Sequence, residues 1–169
     1  MTEALLASAE RALLDHGAFE EREGAYAVTT TAFDATVVVA SAGDGLSYRV
    51  TVTVPTLDAA VEGEAVAPIV QEGWFDTFER RLAHPGGATR VDPDPPLVSI
   101  DVDAGEVRVE MAFETTLPER GTEDAKALVD FVEGTYLQGV VPGYDYRDPV
   151  DGLLQRAEDR SGSAGGPPI

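Results

Sequence analysis

The sequence predicts an α+β fold, in which helices cover one face of a mainly antiparallel sheet. Segments with apolar residues at helical spacing occur near the start, in the middle and in the last third of the chain. Between them lie segments in which apolar and polar residues alternate, the pattern of half-buried strands. Glycine-containing turns join neighbouring alternating segments, which is typical of antiparallel hairpins. The predicted order is α-βββ-α-ββ-α with a short C-terminal helix.

Two helices are predicted in the first half of the chain. The first covers residues 3–16, where leucines and alanines recur at helical spacing and Gly17 follows as a stop. The second covers residues 68–82 and starts at Pro68, because proline is favoured in the first turn of a helix. Each helix has an apolar side, so both are expected to pack on the sheet.

Two more helices are predicted in the second half. Thr122 is expected to cap the third helix, which ends at Gly139. A short amphipathic helix covers residues 149–160. The last segment, 161–169, is rich in glycine, serine and proline and is predicted to be a disordered tail. Residues 1–160 therefore form one predicted domain.

Five strands are predicted from the alternation of apolar and polar residues. A Gly-Asp-Gly turn separates the second strand from the third and predicts a hairpin. In the last hairpin, a two-residue turn at Ala104 and Gly105 would place Asp101 across from Arg108, where their opposite charges attract. The predicted strands cover residues 26–31, 35–41, 46–54, 98–102 and 106–114.

The chain is strongly acidic, with 31 Asp and Glu residues against 12 Lys and Arg residues and a net charge of -19. Like charges at this density repel one another and destabilise a compact state in dilute buffer. Molar salt shortens the Debye length to about 3 Å and screens most of this repulsion. The composition therefore predicts a halophilic protein of haloarchaeal type, and it disfavours nucleic acid and anionic membranes as partners.

Other features of the composition limit the class of protein. The chain has no cysteine, which excludes disulfides and thiolate metal sites. Its first residues lack the basic region of a signal peptide, and no apolar run is long enough to span a bilayer. A cytoplasmic location is therefore expected.

The sequence shows no motif for catalysis or cofactor binding. No serine lies in a Gly-x-Ser-x-Gly elbow, and the glycines form neither a Walker loop nor a dinucleotide fingerprint. His16 and His84 stand at predicted helix ends and lack a second histidine at ligand spacing. The many carboxylates indicate a solvated acidic surface, with Asp103 and Glu106 as the alternative pair for a divalent cation. The sequence predicts no cofactor and no metal.

Two kinds of side chain are candidates for binding. Arginines interrupt the acidic sequence between residues 79 and 90 and form a candidate anion site, although the same residues also suit the negative end of a helix. Aromatic residues of the second predicted helix and of the loop 140–147 are candidates for a protein interface, with packing inside the domain as the alternative. The candidate binding residues are Trp74, Phe75, Phe78, Arg80, Arg81, Arg90, Tyr144 and Tyr146.

Two resemblances accompany these patterns. Over about residues 3–139, the element order is similar to the type III secretion chaperone-like fold, whose members are small, acidic, often dimeric proteins that hold partner polypeptides. The segments Glu-Gly-Trp-Phe-Asp-Thr-Phe-Glu-Arg-Arg-Leu (72–82) and Val-Val-Pro-Gly-Tyr-Asp-Tyr (140–146) resemble an uncharacterised haloarchaeal domain-of-unknown-function family. The first resemblance implies a polypeptide-holding role, and the second implies no activity.

The leading functional hypothesis is a non-enzymatic cytoplasmic protein-interaction or chaperone-like module adapted to high salt. It would hold a protein partner or form a homodimer through the uncovered sheet face or through the helix that carries Trp74. The alternative is a domain, or an enzyme of unknown type, that binds a small anionic ligand at Arg80, Arg81 and Arg90. A domain that acts only within a larger assembly is the third hypothesis.

Overall fold

One six-stranded antiparallel sheet forms the centre of the protein. The structure, a computed structural model, describes residues 2–88 and 90–165, and of residues 2, 88 and 160–165 it describes the backbone alone. The strands are β1 (Phe19–Arg22), β2 (Ala25–Val28), β3 (Asp34–Ala42), β4 (Gly45–Pro55), β5 (Leu97–Asp101) and β6 (Glu106–Thr115). Their order across the sheet is β1-β2-β3-β4-β6-β5, and all neighbours are antiparallel.

Helices cover one face of this sheet, which confirms the predicted α+β class. α1 and α4 pack on the central strands, and α3 packs beside α4. The helices are α1 (Thr2–Asp15), α2 (Leu57–Ala60), α3 (Pro68–Leu82), α4 (Pro118–Gln138) and α5 (Val150–Gly165). Alternation along β4 and β6 brings their apolar side chains to the helical face, where they are buried: Leu46, Tyr48, Val50, Val52, Val54, Val107, Val109, Met111 and Phe113.

Two short elements are absent from the predicted order. β1 has a single buried residue, Phe19, so its sequence shows no alternation. α2 has four residues and is held by Thr56, whose Oγ1 accepts a hydrogen bond from the backbone N–H of Ala59 at 3.1 Å. Periodicity needs a longer window than either element provides.

The ends of the last two helices differ from the predicted ones. α4 begins at Pro118 with Leu117 as its N-cap, one turn before the predicted cap. Thr122 lies inside the helix, and its hydroxyl donates a hydrogen bond to the carbonyl oxygen of Pro118 at 3.1 Å. α5 continues to Gly165, so residues 161–165 of the predicted tail are helical. Residues 166–169 of that tail lie outside the described residues.

The last hairpin has a different register from the predicted one. Asp101 lies opposite Glu106 rather than Arg108, and Ser99 lies opposite Arg108. The reason is a four-residue turn, in which Oδ1 of Asp101 accepts a hydrogen bond from the backbone N–H of Ala104 at 3.1 Å. The pairing register differs from the predicted one by two residues, so each side chain keeps its predicted face of the sheet.

The fold is expected to lose stability as the pH rises from about 10 to about 12. Tyr48 is fully buried in β4, and this burial raises the pKa of its phenol from 10.0 to about 12. Burial also raises the pKa of the Tyr136 phenol. Since the folded state holds both phenols neutral, their contribution to stability is complete below pH 10 and is lost as the pH rises through the folded-state pKa.

An alkaline titration that follows tyrosinate absorbance together with far-UV circular dichroism measures this effect. The chain has five tyrosines, and ionisation of Tyr48 and Tyr136 should coincide with the loss of the dichroism signal. Tyr48→Phe should move the alkaline midpoint upward, because phenylalanine has no proton to lose. Ionisation of all five tyrosines near pH 10 in a protein with an intact dichroism spectrum would contradict the prediction.

Candidate functional site

The C-terminal end of α3 carries two of the arginines that were predicted to bind an anion. Arg80 and Arg81 lie in the last turn, and the helix ends at Leu82 with Ala83 as its C-cap, shortly before Pro85 and Gly86. α4 runs beside α3, and the two helices bound a groove of about 600 Å³. Its lining, here called the arginine groove, consists of Arg80, Arg81, His84, Pro85, Phe131, Gly134, Thr135 and Gln138.

The arginine groove is cationic, although the chain has a net charge of -19. None of its lining residues is acidic. In the part of the chain that the structure describes, no carboxylate lies within ion-pair distance of Arg80 or Arg81. The C-terminal ends of α3 and α4 contribute about half a negative charge each. The two guanidinium groups outweigh this contribution, so the lining of the groove carries a net positive charge.

Gly139 ends α4 beside the groove and leaves a notch where a side chain would be. A Cβ atom on Gly139 would lie 3.8 Å from Nη1 of Arg81, 3.8 Å from Nε1 of Trp74 and 3.7 Å from the carbonyl oxygen of Tyr136. Nε1 of Trp74 is buried and has no acceptor among the described residues. These four residues are here called the Gly139 notch. Two hydrogen-bond donors and one acceptor therefore lie around Gly139, in ordinary van der Waals contact with the Cβ position.

Arg90 lies outside the arginine groove. Its Nε and Nη2 are 3.3 and 3.2 Å from Oδ1 of Asp124, and its Nη2 is 3.5 Å from a carboxylate oxygen of Glu123. Asp124 is buried near the start of α4, about two turns before Phe131 of the groove. This corrects the predicted grouping of Arg90 with the other two arginines. A buried carboxylate needs a cationic partner, and Arg90 provides it.

Trp74 and Phe78 lie in the core rather than on the surface. Their rings stack with centroids 5.6 Å apart, and the ring of Tyr136 meets each of them edge-on at 5.8 Å. The hydroxyl of Tyr136 has no partner among the described residues. Phe75 is half-buried and lines a separate cavity of about 520 Å³ with Ile100. Of the three aromatic residues of α3 that were predicted at an interface, Phe75 alone keeps substantial accessible surface.

The tyrosines of the loop 140–147 pack against their own domain. Tyr146 is buried, and its hydroxyl donates a hydrogen bond to the carbonyl oxygen of Val141 at 2.5 Å. Its backbone forms a β-bridge with Val61. Tyr144 is half-buried and meets the ring of Tyr146 edge-on at 6.5 Å. A partner could therefore reach Tyr144, whereas Tyr146 serves the fold.

The face of the sheet opposite the helices is open. The outward side chain of Val38 on β3 is 44% exposed, and Arg49 beside it on β4 is exposed as well. Ala112 of β6 follows in the same cross-strand row. None of the side chains at the centre of this face is acidic. This set, here called the central patch, consists of Ala27, Thr36, Val38, Ala40, Ser47, Arg49, Thr51, Thr53 and Ala112.

Carboxylates stand at the margin of the central patch. Glu110 and Glu114 of β6 lie opposite Thr51 and Ser47 of β4. Asp34, the first residue of β3, lies opposite Thr53. The outer face therefore has an acid-free centre with one arginine, and a margin that carries these carboxylates together with Arg108 opposite Thr53.

Two features of the structure concern metals and membranes. Within residues 2–88 and 90–165, no cluster of three or more His, Cys, Asp or Glu side chains is arranged to hold a metal ion. Across the same residues, no helix combines the length and the apolar character that crossing a bilayer requires.

A family model matches residues 14–156 of the 169. The chain belongs to DUF5813, a family of unknown function. This membership confirms the resemblance to a domain-of-unknown-function family. DUF5813 brings no activity or residue roles to this chain. No curated protein and no solved structure matches it.

Two features of this DUF5813 chain were not found from its sequence. Gly139 was predicted only as a helix stop, because its neighbours Trp74 and Arg81 come from a distant helix. In the sequence, the residues of the central patch are only the more polar positions of alternating strands. The outward positions of β4, every second residue from Ser47 to Thr53, contain no acid. In so acidic a chain, this absence could have indicated the patch from the sequence.

Proposed function

We propose that this chain is a non-enzymatic protein-interaction module and that its outer sheet face docks on a second copy of the chain. The observation that carries the proposal is the central patch, an acid-free surface in a chain with a net charge of -19. Val38 at 44% exposure and Leu97, at the edge of the sheet, at 68% exposure add apolar surface that is open to solvent.

The charge pattern favours a second copy as the occupant. In a two-fold symmetric interface, residues near the axis face the same patch on the other subunit. A carboxylate at the centre would therefore lie close to its own counterpart, and like charges across an interface are unfavourable. The central patch avoids this repulsion. Its one cation, Arg49, is available to a carboxylate from the margin of the opposite patch.

The size of the outer face fits a stable interface. Six strands that are each about 4.8 Å wide cover about 29 Å, and strands of four to eleven residues, about seven on average, are about 24 Å long at about 3.3 Å per residue. The projected area is therefore about 700 Å². A standard interface buries about 800 Å² on each partner, so the whole face, rather than the central patch alone, would be covered.

We propose the cytoplasm of a haloarchaeon as the setting of this protein, because a net charge of -19 suits a salt-rich environment. Two subunits with 19 excess negative charges each repel one another in dilute buffer and associate more readily where salt screens them. An acidic, dimeric, non-enzymatic protein also matches the character of the type III secretion chaperone-like fold. Holding a partner polypeptide is the chaperone-like extension of the same proposal.

Sedimentation velocity in molar KCl tests the docking surface. The unaltered chain is expected to sediment as a dimer in a concentration-dependent way. The double variant Val38→Glu, Thr51→Glu places new carboxylates on both patches, and we expect at least a tenfold weaker association with an unchanged far-UV spectrum. Ile69→Glu is the matched control, because Ile69 is 77% exposed on α3, away from the sheet face.

A chain that sediments as a monomer at every concentration would overturn self-docking. A dimer that the double variant leaves unchanged would place the interface elsewhere. Weakening by Ile69→Glu alone would identify α3 as the contact surface and would also contradict the proposal.

A further inference from the structure

The edge strand β5 and the helix α3 bound a groove of about 520 Å³, here called the edge groove, whose walls include Val66, Glu72, Phe75, Asp76, Ile100 and Val102. We propose that the edge groove binds an extended polypeptide segment, which pairs with β5 as an added strand and carries basic side chains on both sides of an apolar one. The groove opens on the helical side of the sheet, because Ile100 lies opposite buried Val107 of β6. This surface is not the outer sheet face, so either proposal can fail without the other.

β5 is the last strand of the sheet, so one side of its backbone has no neighbouring strand. The register shows which backbone groups lie on that side. The N–H of Thr56 donates a hydrogen bond to the carbonyl oxygen of Gly105 at 2.9 Å and continues the pairing of β4 with β6. Successive residues of a strand direct their N–H and C=O groups to opposite sides. Val107 and Val109 therefore bond to β4, and Arg108 between them bonds to β5.

Two residues of β5 therefore present their backbone to the open side. Ser99 lies opposite Arg108 and exchanges hydrogen bonds with it, whereas Val98 and Ile100 direct their N–H and C=O groups away from β6. Among the residues that the structure describes, no turn, cap or side-chain hydrogen bond uses these groups of Val98 and Ile100. An added strand would bond to both donors and both acceptors, as in peptide recognition by β-strand addition.

The ends of β5 limit what can pair with it. Pro95 and Pro96 precede the strand, Asp101 ends it, and Asp103 lies in the turn that follows. Prolines and charges at the ends of a short edge strand protect it against open-ended pairing with other sheets. The open side of β5 therefore suits one short segment rather than the edge of a second sheet.

Apolar side chains line the part of the edge groove next to β5. Phe75 and Ile100 are half-buried, and Val102 is 63% exposed. In an antiparallel pair, residues directly opposite each other direct their side chains to the same face of the sheet. A residue of the segment opposite Ile100 therefore places its side chain in the groove, where an apolar group would cover Phe75 and Ile100.

The charge of the edge groove identifies the kind of segment. Asp58, Glu72 and Asp76 line the groove, and none of its lining residues is a cation. Within the described part of the chain, no ion pair involves any of these three carboxylates. Glu72 and Asp76 lie four residues apart on α3, so their like charges repel. Lysine or arginine beside the apolar residue would offset this repulsion, whereas an acidic segment would increase it.

Charge is not the only source of affinity that we expect in molar salt. The Debye length is then about 3 Å, so the attraction between charges is confined to ion-pair distance. Backbone hydrogen bonds with β5 and apolar contact with Phe75 do not depend on this attraction. Charge therefore selects the segment, while β5 and Phe75 hold it.

Amide hydrogen exchange of the full chain measures the pairing at single residues. In the free chain, the N–H groups of Val98 and Ile100 should exchange faster than those of Ser99 and Asp101, which bond to β6. The probe is the acetylated and amidated peptide Thr-Lys-Thr-Val-Thr-Lys-Thr, whose Lys and Val side chains share one face of a strand. At saturation, it should slow exchange at Val98 and Ile100 at least about tenfold.

Fluorescence anisotropy with labelled peptides compares matched probes. N-methylation of the Val residue should abolish binding, because the N–H of a residue opposite Val98 or Ile100 points to β5. N-methylation of the Thr that follows is the matched control, since that N–H points away from β5, and it should leave binding unchanged. Replacing both Lys residues by Glu should abolish binding at about 0.1 M KCl, where the Debye length is about 10 Å.

A double variant of the groove and a matched double variant elsewhere locate the site. Glu72→Gln, Asp76→Asn removes two exposed carboxylates of α3 and should weaken binding of the Lys peptide at least about threefold at about 0.1 M KCl. Glu3→Gln, Glu10→Gln removes the same charge from α1, which packs on β1, β3 and β4, and should leave the affinity unchanged. Far-UV circular dichroism checks that both variants fold.

Slower exchange at Val98 and Ile100, together with loss of affinity in the groove variant alone, is the supporting result. The proposal is overturned if the Lys peptide does not bind saturably, or if it binds without slowing exchange at these two residues. Equal protection of Val98, Ile100 and Ser99 in the free chain would show that the edge is already covered, and would overturn it as well. Equal binding of the Lys and Glu peptides would exclude a basic segment as the occupant. Self-docking is measured separately by sedimentation, so failure of one proposal is distinguishable from failure of the other.

Discussion

Gly121→Ala is expected to destabilise the protein by about 1 to 3 kcal/mol. Gly121 lies in α4, and a Cβ there would be 2.5 Å from Cζ of Tyr48 and 2.6 Å from its Oη. Tyr48 has little room to yield, because it is fully buried on a central strand and its ring stacks on Phe113 with centroids 5.0 Å apart. Alanine favours a helix over glycine by up to about 1 kcal/mol, which offsets only part of the clash.

The same helix offers the matched control. A Cβ at Gly134 would meet nothing within 4 Å, so Gly134→Ala should keep or raise the free energy of unfolding, by up to about 1 kcal/mol. Urea denaturation of the three proteins at one salt concentration measures the difference. Equal stability of the two variants would contradict the close approach of α4 to β4 at Tyr48.

The fold was predictable where periodicity extends over a long segment. α3 has the predicted bounds 68–82, because its aromatic residues recur at helical spacing and Pro68 marks its start. The strand predicted at 46–54 is β4, Gly45–Pro55. The register of the last hairpin was not predictable, since it depends on a turn length that the Asp101 side chain stabilises. Local hydrogen bonds of this kind leave no periodic signal.

The candidate site was predictable only in part. Nearness in sequence placed Arg80, Arg81 and Arg90 in one group, and the structure keeps the first two together. Arg90 forms an ion pair with Asp124 because a buried carboxylate needs a cation. The burial of Asp124 depends on tertiary packing, which the sequence does not show. For the same reason, no sequence pattern shows that Arg81 and Trp74 converge beside Gly139.

Raising KCl from 0.1 M to 1 M is expected to raise the free energy of unfolding by about 3 kcal/mol. Two like charges 10 Å apart in water repel by about 0.4 kcal/mol before screening. Screening leaves about a third of this energy at 0.1 M and a few per cent at 1 M. With two or three such neighbours for each of the 19 excess negative charges, and each pair counted once, about 25 pairs give the stated gain.

Thermal melts followed by far-UV circular dichroism measure this gain, which corresponds to about 6 to 12 °C in the melting temperature. A variant with fewer charges separates screening from other effects of salt. Its five substitutions replace exposed acids outside the ion pairs described here: Glu62→Gln, Glu64→Gln, Glu72→Gln, Asp76→Asn and Glu79→Gln. Because it carries five fewer negative charges, it should melt higher at 0.1 M KCl and gain less from added salt. A melting temperature that KCl leaves unchanged, or an equal response of both proteins, would contradict the link between the acidic surface and stability in salt.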